Sequence, residues 1–250
     1  MAWLEAFAAL IDPATIAPRE PDGIVVDDPR AGRVEGVEAL RAFAAESKAW
    51  LDARYARTRM LAITKNAIRT VGEYEVDLTE DGRTFTLPVA AVVEPAADAT
   101  RVAVRIYHSQ WPLLGHHRVR PPLLPADPRA HESDVVGEYQ AALAAGDEQR
   151  IVATFEPDGC FREPAGPPFR VCGTADLLAL YTRFFSAGGG IVLEHCTVTE
   201  DGVCSALEFN AVRWGGVDLP PQAGVAVYER GATGRIAHAR VYDDVEGPLE

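Results

Sequence analysis

The sequence predicts an α+β protein in which one unit occurs twice, and three observations predict it. Self-similarity is the first: sliding the 250-residue chain by 135 positions (Glu73 to Glu208) lays matching pairs on each other in order. Glu73-Tyr74 falls on Glu208-Phe209, Val93-Glu94 on Tyr228-Glu229, and Arg105-Ile106-Tyr107 on Arg240-Val241-Tyr242. Upstream, Asp28-Pro29 falls on Glu163-Pro164, and after two extra residues Arg33-Val34-Glu35-Gly36 meets Arg170-Val171-Cys172-Gly173. The second observation is the order of elements within a copy, helices first and then a run of strands, which argues for α+β over a parallel βαβ sheet. The third is a proline-rich stretch between the copies. It divides the chain into a first domain (1–114), a connector (115–133) and a second domain (134–250), each domain of ordinary size.

The second copy is the easier to read. Asp134 caps a helix whose Val135, Val136, Tyr139 and Leu143 recur at helical spacing, with Gly146 as its stop. A short helix through Ile151 and Phe155 is broken by Pro157-Asp158-Gly159, and Cys160-Phe161-Arg162-Glu163 begins an extended piece. Thr174 caps a longer helix with Leu177, Leu178, Tyr181, Phe184 and Phe185 on its apolar side, ended by Gly188-Gly189-Gly190. Four strands follow, at 191–199, 203–213, 222–229 and 235–243, rich in Val, Ile and aromatics and punctuated by Asp-Gly and Gly-Gly turns. Such a sheet folded over its own helices forms a cone that can hold a small apolar ligand.

The connector carries four prolines in Gly115–Ser133, which favours an extended, semi-rigid chain. Its basic stretch His116-His117-Arg118-Val119-Arg120 reads as solvated. Residues 1–11 read as an amphipathic first helix, since Glu5 interrupts them and no basic residues precede them.

Composition excludes several classes. The formal net charge of −13 disfavours nucleic acid and anionic lipid as partners. No apolar run approaches the roughly 18 residues that cross a bilayer. The four cysteines (Cys160, Cys172, Cys196, Cys204) form no C-x-x-C pair and read as reduced thiols in a cytoplasmic protein. Neither a metal site nor a cofactor motif stands out.

Residues Val136 to Leu249 resemble the NTF2-like superfamily, specifically the ketosteroid isomerases and SnoaL-like polyketide cyclases. The landmarks are Tyr139 to Asp147, Phe155-Glu-Pro-Asp158, Phe161-Arg-Glu-Pro-Ala-Gly166, Val171-Cys-Gly173 and Gly234 to Asp243. The resemblance implies two tandem cone-shaped α+β barrels, their sheets packed together as a pseudo-dimer. It also implies a cofactor-independent cyclase or isomerase acting by proton transfer on an apolar, polyketide-like carbonyl compound. A small-hydrophobe binder and an epoxide hydrolase or cyclase remain alternatives on the same fold.

By that resemblance Glu163 stands where the family keeps its base, and Tyr139 where it keeps an oxyanion-binding tyrosine. Asp243 resembles the strand-end acid of the cyclases. The isomerases' protonated carboxylic acid falls on Gly224 here, so one donor to the enolate oxygen is missing. Alternation puts Ala239, Val241 and Asp243 on one face of the last strand, and one of the adjacent acids Asp243 and Asp244 must point outward. His195, at a strand start, is a further candidate acid–base group. Glu208, matched by Glu73, reads as an inter-sheet or solvent-facing residue. The first copy reads as degenerate: it has Phe7 and no convincing tyrosine, and His108 replaces Asp243. Asp28 and Tyr55 remain its possible pocket groups.

Overall fold

The computed structural model describes residues 23–80, 82–96, 101–166 and 169–247. The helix expected at residues 1–11, with Phe7, lies outside them. The chain divides into two compact units, Met1–His108 and Ser109–Glu250.

In the first unit, β1 (Ile24–Asp28), β2 (Gly32–Glu35), α1 (Val37–Ala53), β3 (Arg57–Lys65), β4 (Thr70–Glu80), β5 (Arg83–Pro95) and β6 (Val102–Tyr107) follow in order. The sheet reads β2-β1-β6-β5-β4-β3, with β1 and β6 parallel and the other neighbours antiparallel.

The second unit opens with one helical turn, α2 (Trp111–Leu114). After the connector come α3 (Val135–Ala145), α4 (Glu148–Thr154), β7 (Phe155–Arg162), β8 (Arg170–Cys172) and α5 (Thr174–Phe184). The long strands β9 (Ile191–Glu200), β10 (Cys204–Trp214), β11 (Val217–Arg230) and β12 (Ile236–Asp243) complete it. Its sheet order, β8-β7-β12-β11-β10-β9, repeats that of the first unit, again with one parallel pair, β7 with β12. The two glycines aligned in the sequence, Gly36 and Gly173, sit at the N-termini of α1 and α5 with φ of 90° and 85°. That backbone region strains any residue with a Cβ, so glycine marks the turn into the helix in both units.

Each local device has a visible cause. The Asp134 carboxylate accepts from the Val136 N–H at 2.9 Å and starts α3, and Gly146, at φ 69°, closes it. The core of the unit joins Val136, Tyr139 and Leu143 of α3 and Leu177, Leu180 and Tyr181 of α5 to Leu207, Phe209, Ala226 and Tyr228 of the sheet. Each large side chain buried there contributes about 1.5–3 kcal/mol relative to exposure.

Several expectations are corrected. Gly173, not Thr174, precedes α5, and Thr174 is its first helical residue. That helix stops at Phe184, ahead of the glycines. Pro157-Asp158-Gly159 does not separate helix from strand: β7 already starts at Phe155. Its pairing with β12 jumps from Ile236↔Phe155 to His238↔Cys160, so the turn-forming residues are absorbed in an irregularity of the strand. Cys160 and Cys172 are not reduced thiols. They are direct cross-strand partners in the β7–β8 register, which brings their sulfurs into a disulfide. Cys196 and Cys204 are buried.

The connector is laid against the second sheet. The Ala223 N–H donates to the Arg120 carbonyl and Asn210 Nδ2 to the Leu124 carbonyl. The Asp127 N–H donates to the His195 carbonyl, and the Ser205 hydroxyl to Glu132. Glu208 is buried and its carboxylate accepts from the Thr197 hydroxyl, so it does not face solvent. Among the described residues, no helix is long and apolar enough to cross a membrane.

Candidate active site

The second unit contains an open-mouthed cavity of about 850 Å³. Its walls are mostly apolar: Leu143, Phe161, Phe184, Leu193, Phe209, Ala226 and Val241 come from five strands and two helices. Trp111 and Phe169 meet edge to face at 5.6 Å, and Trp111, 37% exposed, belongs to the rim.

Three of the four residues singled out from the sequence, Tyr139, Glu163 and Asp243, line this one cavity. Strand alternation holds for Val241 and Asp243, which face it, while Arg240 turns to Glu229 and Tyr242 packs under the Arg162 guanidinium. The acid expected to point outward does not, because Asp244 is buried and held by Ser109, His117 and the Arg118 N–H. Burial pushes the Asp243 carboxyl up to about 7. The neighbouring charges of Asp244 and Glu163 add to the rise, and the Val245 N–H and His117 oppose it. Burial also raises Glu163, opposed by Arg183, whose Nη2 donates to Glu163 Oε1 at 3.3 Å.

Gly224 stands directly across from Asp243 in the β11–β12 pair. The position without an oxyanion acid is thus the space that Asp243 and the Phe209 ring occupy.

The Tyr139 and Tyr181 hydroxyls share a hydrogen bond of 2.8 Å, and Tyr139 packs against Tyr228 with ring centroids 5.2 Å apart. The Tyr228 hydroxyl accepts from Gln140 Nε2 at 2.7 Å, which leaves its own proton to donate. All three phenols line the cavity, and burial holds each well above its ordinary pKa. They are neutral hydrogen-bond donors across the physiological range.

His195 is the residue that the fold does not bring to the cavity lining. Its Nε2 lies 3.2 Å from Gln140 Oε1, and burial lowers its pKa, so it is a neutral ring that orients the Gln140 amide and, through it, Tyr228. Tyr181, Tyr228, Arg183 and His117 line the cavity without having been singled out from the sequence. The only signal for Tyr181 is a hydroxyl in an otherwise apolar helix stripe; His117 has none.

Asp28 in the first unit is buried, and its Oδ1 accepts from the Arg30 and Ala31 N–H groups at 2.8 and 2.9 Å, closing the β1–β2 turn. The hollow it lines with Ser47, Trp50 and His108 holds only about 30 Å³. Tyr55, expected as a pocket group, is 79% exposed.

The second unit is therefore an α+β domain with a buried acid in an aromatic cavity. Residues 136–239 match the SnoaL-like domain. Among solved structures, the chain is similar to a Sinorhizobium meliloti protein provisionally named as a polyketide cyclase. Identity is 21%, over 43% of this chain and 92% of that one, with a TM-score of 0.36. It is also similar to the epoxide hydrolase/cyclase-like enzyme SalBIII of salinomycin pyran-ring formation (22%, 44% and 87%, TM-score 0.37). A third is an LEH-like epoxide hydrolase of M. tuberculosis (20%, 44% and 80%, TM-score 0.37). No curated protein matches the chain.

Proposed function

We propose that the second unit is an acid–base enzyme of the cyclase or isomerase kind, moving a proton on a carbon next to the carbonyl of a small apolar molecule. The observation that carries this reading is Asp243: a carboxyl with proton affinity near neutrality inside a mostly apolar, aromatic-lined cavity. An ionised Asp243 takes the proton from carbon. Tyr228 and one hydroxyl of the Tyr139–Tyr181 pair, polarised by the other, supply donors for the enolate oxygen, and their raised pKa values keep them protonated. Glu163, held by Arg183, is a second carboxyl within electrostatic reach of Asp243 and can return a proton elsewhere on the same molecule. The match at 136–239 supports the class and is silent on the substrate.

The shared strand order and the paired Gly36 and Gly173 support descent of both units from one duplicated domain. The 30 Å³ hollow supports a structural role for the first.

Incubating the protein in D2O with a panel of apolar ketones and 1,3-diketones tests the reading, because removal of a proton from carbon leaves deuterium behind. Mass spectrometry should show exchange that falls by about 100-fold or more in Asp243→Asn. Exchange that survives in both Asp243→Asn and Glu163→Gln removes the mechanism. A second reading, epoxide opening, is favoured by two carboxyls of raised proton affinity in one cavity, one to serve as acid and one as base. Turnover of apolar epoxides without any exchange into ketones would select it.

A further inference from the structure

The connector brings a third ionisable group to the cavity. His117 lines it beside Asp243, yet it belongs to a stretch outside the SnoaL-like match and read from sequence as solvated. Its Nδ1 lies 2.9 Å from Asp244 Oδ1, which leaves Nε2 as the nitrogen available to a bound molecule. Asp244 is buried, with a side chain only 3% exposed, and is densely held. It accepts from the Ser109 hydroxyl at 2.7 Å and from the Arg118 N–H at 2.7 Å, besides His117. Those donors keep Asp244 ionised despite its burial, so it is a fixed anion, not a proton carrier. A fixed carboxylate on Nδ1 sets the ring's tautomer and orientation and favours the imidazolium.

We propose that His117, held by Asp244, is a further catalytic residue of this cavity, the donor that protonates the carbonyl oxygen of the bound molecule. This rests on the proton-transfer reading of Asp243. As Asp243 takes the proton from carbon, that C–H electron pair forms the C=C bond and the carbonyl π pair moves to oxygen. His117 Nε2–H delivers its proton to this oxygen and the enol results. Asp243 then returns its proton to another carbon of the enol system, the O–H proton goes back to Nε2, and the carbonyl re-forms. Protons and electrons balance without any added reactant. The charged groups facing His117 are Asp244, Asp243 and Glu246, all acids, and together they outweigh the effect of burial on the ring. His117 must be protonated to donate, so exchange falls as pH rises through its raised pKa.

The test uses His117→Gln, which keeps a donor for Asp244 but cannot titrate, alongside His117→Ala and the wild-type chain. Ketone exchange is followed against pH, and binding of 2-naphthol, an enol mimic, by fluorescence. The expected result is about a 100-fold lower exchange rate in both variants, loss of the alkaline limb in His117→Gln, and weaker 2-naphthol binding. Histidine 15N signals of the wild-type protein, which need no variant to fold, should show one ring displaced by 2-naphthol. Wild-type exchange and 2-naphthol binding that persist unchanged in both variants, or no ring displaced, overturn the role of His117 and leave the Asp243 reading standing. No exchange by the wild-type protein, with 2-naphthol binding still dependent on His117, overturns the proton-transfer reading and keeps His117 as the oxygen donor.

Discussion

Gly224 faces Asp243 across the β11–β12 pair, and a Cβ at Gly224 would lie 2.7 Å from the Asp243 Cβ and 2.5 Å from the Phe209 ring. The absence of a side chain at 224 is therefore what gives Asp243 its place. Gly224→Ala should displace the carboxyl or the ring, costing about 1–3 kcal/mol by overpacking. Denaturant titration measures that cost, and deuterium exchange should fall with it. Unchanged stability and exchange would show that Asp243 does not depend on this gap.

Asp243 also makes stability depend on pH. Its folded pKa of about 7 lies above the unfolded carboxyl value, so the folded chain holds the proton more tightly. The contribution is intact below the unfolded value and is lost as pH rises towards 7. Asp244 runs the other way: its lowered pKa gives stability above the unfolded value that is lost on acidification. Asp243→Asn isolates the first effect. Relative to wild type, it should gain about 1 kcal/mol or more between pH 4 and pH 8, read from urea midpoints at both. A pH-independent difference would place the Asp243 titration outside this range.

Much of this was legible in the sequence. The strands β9 to β12 were found because alternation and glycine turns are local, and the shared strand order of the two units because matched pairs such as Glu73-Tyr74 and Glu208-Phe209 keep one offset along the chain. Asp243 is placed by its resemblance to the strand-end acid of the cyclases, and alternation adds only that it shares a face with Val241. What escaped depends on register or on distant contacts. The Cys160–Cys172 bond follows from which residue of β8 stands opposite Cys160. The start of β7 follows from its pairing with β12, which overrode the turn signal of Pro157-Asp158-Gly159. Convergence of Tyr139, Tyr181 and Tyr228 needs two helices and a strand in place. Nothing periodic marks His117, whose position is set by its bond to Asp244.

The bonded hydroxyls of Tyr139 and Tyr181 should behave as a unit. Phenylalanine at either position leaves the other buried hydroxyl short of a partner, at a cost of about 1–3 kcal/mol, whereas the double variant removes both. The double-mutant cycle should therefore fall short of additivity in stability. Exchange should drop in each single variant, since one hydroxyl of the pair donates to the other, which donates in turn towards the cavity. Strict additivity in denaturation would show that the pair is not coupled.

The disulfide closes a sequence separation of 12 residues, and inside that loop lie Glu163 and Phe169, both in the cavity wall. Chain-entropy reasoning gives a closed loop of this length about 3 kcal/mol of stabilisation. Dithiothreitol, or Cys172→Ser, should lower the urea midpoint by a corresponding amount. It should also loosen the turn that presents Glu163 while leaving Asp243, on β12, in place. The wall and the acid can then be separated: reduction should weaken 2-naphthol binding more than it slows exchange per bound ketone. Equal losses in both would mean that β8 supports the whole cavity and not the Glu163 turn alone.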